Sequence, residues 1–274
     1  LFIIYTNKID MKTTHILYLK MTERDLLIQF EEKGHRYKIL SDPDSVYTSV
    51  TGWVHSHFDP FDSDGIIDKM MNSKKWSKSP YFGKTRDEIK AQWNANANAV
   101  AAEGTKLHRD IETFMRLLPG RTTHADLLAK YQSDQPIKND SVEWSFFLKF
   151  VSSTPHLVPY RTEWIVFNED IHISGAIDMV YEKSDGTLMI YDWKRCKEIT
   201  LNGWSRFAKT AGLEHIPDAN FWHYTLQLNM YKYILETKYD KKVSNICLVK
   251  LHPENKSKTY EIIPLPPLNI GELF

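Results

Sequence analysis

Between residues 161 and 194 the chain sets out apolar and polar positions in three short runs, RTEWIVFN (161–168), IHISGAIDMVY (171–181) and TLMIYDWK (187–194). Asn168-Glu169-Asp170 and Ser184-Asp185-Gly186 join them. Short β-prone runs punctuated by turn residues predict three sequential antiparallel strands. The period then changes. After Pro217-Asp218, the residues Phe221, Tyr224, Leu228, Tyr231 and Leu235 recur at spacings of three and four, which predicts an amphipathic helix. Residues 244–251 (SNICLVKL) predict a buried strand. Upstream, residues 86–118 predict a long helical stretch with a kink or a join of two helices near Gly104, closed by Pro119-Gly120. Residues 122–150 predict further helix, with Val142, Phe146, Phe147 and Phe150 at helical spacing. Residues 30–52 alternate around Asp42-Pro43-Asp44 and predict a short hairpin, residues 53–84 predict loop, and the Pro-rich run at 262–268 predicts extended chain. The order helix, three antiparallel strands, helix, strand makes an α/β core with a mixed sheet.

The chain has 274 residues, 42% hydrophobic and 13% aromatic, which suffices for a sizeable core. Without a repeat or a Gly/Ser-rich linker, residues 21–274 are expected to form one compact unit: a mostly helical N-terminal elaboration over 21–100 and a core over 101–274. Residues 1–20 begin apolar but lack the small-residue cleavage site of a signal peptide. Because Met21 opens a stretch that reads as an ordinary start, 1–20 are expected to be a non-native or flexible leader. Lys+Arg and Asp+Glu both number 35, so polyanion binding must rest on local patches or bound cations. The two cysteines, Cys196 and Cys247, are too few for a disulfide framework, a four-thiolate iron–sulfur cluster or a Cys-rich zinc site. A reducing, intracellular setting is the default. No apolar run approaches the roughly 18 to 20 residues that span a membrane, and the Lys-, Asn- and Ile-rich composition suits a virus or mobile element.

Two carboxylates stand out because a hydrophobe would serve the core better at their positions. With a three-residue Ser184-Asp185-Gly186 turn, Gly taking the left-handed conformation, Lys183 lies opposite Thr187 and Asp178 falls opposite Asp192. A two-residue turn would put the aspartates on opposite faces. In the first register like charges are cross-strand neighbours, which is destabilising unless something positive lies between them. Alternation puts Lys194 on the face of Asp192 and Trp193 on the other. Hard oxygen ligands beside an amine suit Mg²⁺ or Mn²⁺ and phosphodiester hydrolysis, with the pKa of the lysine lowered by the cation. Alone, an Asp-x-Lys pattern reads first as solvated charges at a strand end.

Four motifs change that weight: Gly104-Thr105-Lys106-Leu107-His108, Gly175-x-x-Asp178, Asp192-Trp193-Lys194 and Gln227-x-x-x-Tyr231. In order and separation they resemble the RecB-type branch of the PD-(D/E)XK nuclease superfamily, over about residues 100–250. The Gly-Thr-x-x-His opening is similar to that of the mitochondrial genome maintenance exonuclease group, as is Tyr47-Thr48-Ser49-Val50-Thr51, and the same opening occurs in Cas4-like nucleases. The resemblance implies a restriction-endonuclease-like core and one or two Mg²⁺ or Mn²⁺ ions. His108, Asp178, Asp192 and the Trp193 carbonyl would be ligands, and Lys194 the catalytic lysine beside the two aspartates. Gln227 and Tyr231 would support the site or contact DNA, with Glu163 and Glu112 in supporting positions. Cas4 and AddB-like members hold an iron–sulfur cluster on four cysteines, and this chain cannot. It has no Gly-Lys-Ser/Thr phosphate loop, so a helicase or another replication or recombination partner would be a separate chain. The implied function is a metal-dependent DNA nuclease, foremost an exonuclease on single strands or DNA ends. The alternatives are a structure-selective or nicking endonuclease and a catalytically silent nucleic-acid-binding module.

Outside these motifs, Trp76, Tyr81 and Phe82 interleave with Lys74, Lys75, Lys78 and Lys84. The stretch reads either as a stacking and phosphate-contacting strip for single-stranded DNA or as a solvated loop. His215, His223 and His252 lack zinc spacing.

Overall fold

The computed structural model describes residues 21–31, 34, 36–203 and 205–274; the leader expected over 1–20 lies outside the described residues. Strands β1 (Ile28–Glu31) and β2 (Arg36–Ile39) pair antiparallel. This is the predicted hairpin, but shifted. Its reversal lies around Gly34, whose φ of 97° suits a tight turn, and not at Asp42-Pro43-Asp44. The Asp42 carboxylate instead accepts the hydroxyls of Ser45 and Tyr47 and pins the loop leading into β3 (Thr48–Ser49).

The stretch predicted as loop contains two short helices, α1 (Val50–Ser56) and α2 (Ser63–Met71), and a 3₁₀ turn at Trp76–Lys78. Their start signals are local. The side chains of Ser49 and Asp62 accept the backbone N–H groups of Gly52 and Gly65 as N-caps, and Val50, Trp53 and Val54 are buried in the core.

Helix α3 (Arg86–Met115) runs 30 residues without a break, opened by a Thr85–Glu88 capping box. The join of two helices expected near Gly104 is absent: one helix continues through it, and no atom stands within 4 Å of the place a methyl group would take there, so packing does not require a glycine. It also runs straight through residue 100, where the elaboration was expected to give way to the core. The further helix is two helices, α4 (His124–Asp134) and α5 (Val142–Ser153). Left-handed Gln135, with φ 44°, followed by Pro136 ends the first. Phe146, Phe147 and Phe150 are buried as expected, whereas Val142 is 47% exposed.

The predicted strands form β4 (Val158–Asn168), β5 (Ile173–Glu182) and β6 (Leu188–Lys194), each antiparallel to the next. Helix α6 (Asn220–Lys238) then crosses over to β7 (Val243–Lys250), which pairs parallel with β6, as a crossover of this kind allows. The Pro-rich run supplies an edge strand, β8 (Glu261–Pro264), antiparallel to β7. The result is an α/β fold around a mixed sheet, in the order β3-β5-β6-β7-β8 with β4 along the other edge of β5.

Helices cover both faces. On one, Leu226, Leu228 and Ile234 of α6 and Val50 of α1 pack with Val180, Ile190 and Leu248. On the other, Leu107, Ile111 and Phe114 of α3 and Phe147 and Phe150 of α5 pack with Met179, Tyr181, Trp193 and Val249. Helix α6 is buried well beyond its predicted stripe, because the C-terminal segment lies over it. Buried Asn229 donates to the Pro266 carbonyl at 3.0 Å and accepts the Leu268 N–H at 2.9 Å. No helix among the described residues is long and apolar enough to cross a membrane.

The continuity of α3 has a direct check. Glycine in an unstrained helix interior costs about 0.5–1 kcal/mol relative to alanine. Gly104→Ala should therefore raise the free energy of unfolding by about that amount in a denaturant titration; a bend at Gly104 would make the same change destabilising.

Candidate active site

The turn between β5 and β6 takes the three-residue form. Lys183 N–H donates to the Thr187 carbonyl at 2.9 Å, Gly186 N–H donates to the Lys183 carbonyl at 3.0 Å, and Gly186 has φ 79°. The ladder then runs from Glu182↔Leu188 to Met179↔Tyr191, and one further step in this register sets Asp178 against Asp192. At that step the strands part. The Asp178 carboxylate accepts the Trp193 N–H at 3.0 Å, so a side chain replaces the backbone partner. One edge of β5 pairs with β4, while the other is shared between β3 at Ile173 and Ser174 and β6 from Met179 onward. Residues 175–178 have no ladder partner on that second edge among the described residues.

The neighbouring strand is irregular at the same level. Pairing of β4 with β5 passes from Thr162↔Met179 to Trp164↔Ile177, and Glu163 between them is left-handed at φ 48°. Such a conformation in a non-glycine residue costs on the order of 1–3 kcal/mol and persists only where surrounding packing imposes it. The alternation of faces resets here: Trp164 and Ile177 pack on the α6 side, Met179 and Tyr181 on the α3–α5 side. The register itself sets Glu163 opposite Asp178, between these two pairs. Ligand atoms of His108, Glu163 and Asp178 all lie within 4.8 Å of one another.

His108 enters from α3 and bonds through Nε2 to the Trp193 carbonyl at 3.0 Å, while its Nδ1 lies 3.6 Å from Asp178 Oδ2. A carbonyl only accepts, so Nε2 carries the proton of that bond, and Nδ1 is the ring atom that faces the carboxylate. Asp192, only 3% exposed, sits 2.5 Å from Lys194 Nζ. Lys194 in turn lies 4.5 Å from the ring centre of Tyr224 and 3.5 Å from Gln227 Oε1.

The carboxylates pay for this crowding in their protonation. Burial first, then the charges of Asp178 and Glu112, push Glu163 up to about 9. Burial and Asp178 likewise raise Asp192 above the ordinary carboxylate range. Burial opposes the Lys194 ammonium, but Asp192 and Asp178 outweigh it and hold the amine above its usual value.

Of the expected ligand set, His108 and Asp178 come together, and Glu163, expected only in support, joins them. Asp192 is engaged by Lys194 and the Trp193 carbonyl by His108. Glu112 pairs with Arg116 at 2.7 Å and acts on the site through its charge. Tyr231 is buried and explains Gly175: a methyl group there would stand 2.9 Å from Tyr231 Cε1. Gln227 bridges Tyr231 and Lys194. The sequence reading missed Tyr224 as a site residue, although it lies three residues before Gln227 and so on the same helical face.

The donor set fits a hard divalent cation: carboxylates and one imidazole, half-buried, with the carboxylates mutually repelling. No family model matches the chain, and no curated protein matches it. The crystal structure of SSO0001 is similar over 53% of this chain and 60% of that one, at 15% identity and a TM-score of 0.25. The chain thus spans less than two thirds of that neighbour, and a likeness at this score carries no argument about fold or function.

Glu163 supplies a signed prediction. Its folded pKa lies above the unfolded value of 4.5, so its contribution to stability is fully present below pH 4.5 and is lost as pH rises toward about 9. In chelator, Glu163→Gln should be more stable than the parent by a margin that grows across that window. Adding Mn²⁺ should raise the melting temperature of the parent and leave that of the variant unmoved. Calorimetry with and without the ion reads both effects.

Proposed function

We propose that this chain is a divalent-metal-dependent DNA nuclease with a restriction-endonuclease-like core of the RecB-type PD-(D/E)XK branch, acting as an exonuclease on single strands or DNA ends. The observation that carries the reading is the meeting of His108, Glu163 and Asp178 beside the Asp192–Lys194 pair, where β5 and β6 part. The order α3, β4 to β6, α6, β7 agrees with the core that the motifs imply.

His108, Glu163 and Asp178 would hold a Mg²⁺ or Mn²⁺ ion, which would polarise a phosphoryl oxygen and acidify a bound water. The remaining chemistry belongs to the chain. The Lys194 ammonium faces the Asp192 carboxylate. It serves as a fixed positive charge and hydrogen-bond donor for the negative charge that develops on the phosphate. Asp192, Gln227 and the ring of Tyr224 fix where that ammonium stands. Pre-organised charge of this kind acts at no reorganisation cost during the reaction.

Balanced net charge favours this arrangement over a basic docking face, since the phosphates would be held locally. Against a silent binding module stands the acidic cluster itself, which repels a polyanion and has no use unless a cation is recruited.

End-labelled linear and covalently closed circular single strands, incubated with Mg²⁺, Mn²⁺ or chelator, test the reading. Metal-dependent loss of the linear strand alone is expected. Lys194→Ala and Asp192→Asn should each slow cleavage by about 10²-fold or more with circular dichroism unchanged. Cutting of circles would shift the assignment to an endonuclease. DNA retained but uncut under every metal would leave a binding module.

A further inference from the structure

The segment from α2 to the middle of α3 carries chemistry that the proposed reaction does not use. In a chain of zero net charge, residues 69–86 hold six lysines and arginines and no acid. Arg86 is paired with Asp64 and Asp68, and Lys84 bonds to Gln92. Lys69, Lys74, Lys75 and Lys78 enter no ion pair among the described residues. Aromatic rings accompany these charges: Trp76 and Phe82 lie with centres 5.9 Å apart, Tyr81 and Trp93 6.0 Å, and Trp93 and Phe61 6.1 Å. Ile67 and Ile89 are the fully buried residues of this part. The rings stand outside them, with Phe61 68% and Phe82 58% exposed.

The same segment stands off from the rest of the molecule. Every residue of α3 from 94 to 103 is exposed, so for nearly three turns the helix touches no other layer. It is an arm, fixed at its base where Leu107 and Ile111 enter the core. Trp93 lies fifteen residues from His108 along this helix, about 22 Å at 1.5 Å per residue.

We propose that this arm is a second binding surface for single-stranded nucleic acid, stacking bases on Phe61 and Phe82 and holding phosphates at Lys74, Lys75 and Lys78. Unpaired lysines select a polyanion, and exposed rings select one that carries flat π-faces, which an acidic peptide lacks. A duplex keeps its bases stacked on one another and offers the rings nothing. The proposal rests on the nuclease reading only for where the strand goes next, toward the site at the base of the arm. A strand reaching both would be held at two points, so affinity should depend on length.

Binding of labelled oligothymidylates in chelator, followed by fluorescence anisotropy, tests the arm without cleavage. The variants are Phe61→Ala with Phe82→Ala, and Lys74→Ala with Lys75→Ala and Lys78→Ala, all at exposed positions. On an oligomer of about 20 nucleotides the ring variant should lose tenfold or more in affinity, while an oligomer of about 4 nucleotides is bound as by the parent. The lysine variant should lower the slope of log affinity against log salt by about 2. Parent-like binding of the long oligomer by both variants would overturn the proposal, as would an equal loss on blunt duplex. Displacement of the long oligomer by polyglutamate as readily as by unlabelled strand would overturn it in favour of an acidic protein partner. A parent that cuts DNA with arm variants that bind normally would sink the arm and spare the nuclease. A parent that cuts nothing, with arm variants that lose the long oligomer, would do the opposite.

Discussion

Repulsion among Glu163, Asp178 and Asp192 is the constraint around which this end of the sheet is arranged. Two unit charges 4 Å apart repel by about 4 kcal/mol at the effective dielectric of a partly buried site, comparable with a large part of the stability of a domain. Each carboxylate is relieved by a different device. Asp178 accepts a backbone N–H, Asp192 faces the Lys194 ammonium, and Glu163 holds its proton to about pH 9. None of these neutralises the group as a whole, and the cluster keeps an affinity for positive charge that its own neighbours do not satisfy.

The geometry around the cluster follows from keeping it open. Strand β6 must leave β5 one residue short of where the aspartates would meet, and Glu163 must take a backbone conformation foreign to a strand. Both irregularities depend on covered faces. The aromatic packing of α3 and α5 holds one side of the sheet, and α6, itself clamped by the C-terminal segment through Asn229, holds the other. A sheet sealed so well elsewhere can sustain local strain where the ligands converge.

Much of this was legible in the sequence where local rules decide. Ser184-Asp185-Gly186 set the turn, the turn set the register, and the register held as far as Met179↔Tyr191, one step short of Asp178 and Asp192. The alternation of residues 161–194 located three strands, and the 3.6 period located α6. The misreadings came where context outweighs residue type. Gly104 looks like a break, yet an isolated glycine costs a helix too little to end it. Asp42-Pro43-Asp44 looks like a hairpin turn but belongs to a loop tied by side-chain bonds, and the short helices α1 and α2 escaped notice because their caps lie in an aromatic-rich stretch. The importance of Glu163 was hidden for a different reason: it follows from the β4–β5 register, in which the reversal runs through residues 169–172 and sets Asn168 opposite Ile173, which the expected joint at Asn168-Glu169-Asp170 does not give.

Trp193 carries a lesson of its own. Its indole is sealed among Phe147 and Phe150, while its N–H serves Asp178 and its carbonyl serves His108. Part of the site is therefore written in main-chain atoms, which every amino acid but proline at that position would still possess. Replacing the ring would alter the anchorage of the strand and leave the list of functional groups intact, so loss of function there would be a matter of misalignment and not of missing chemistry.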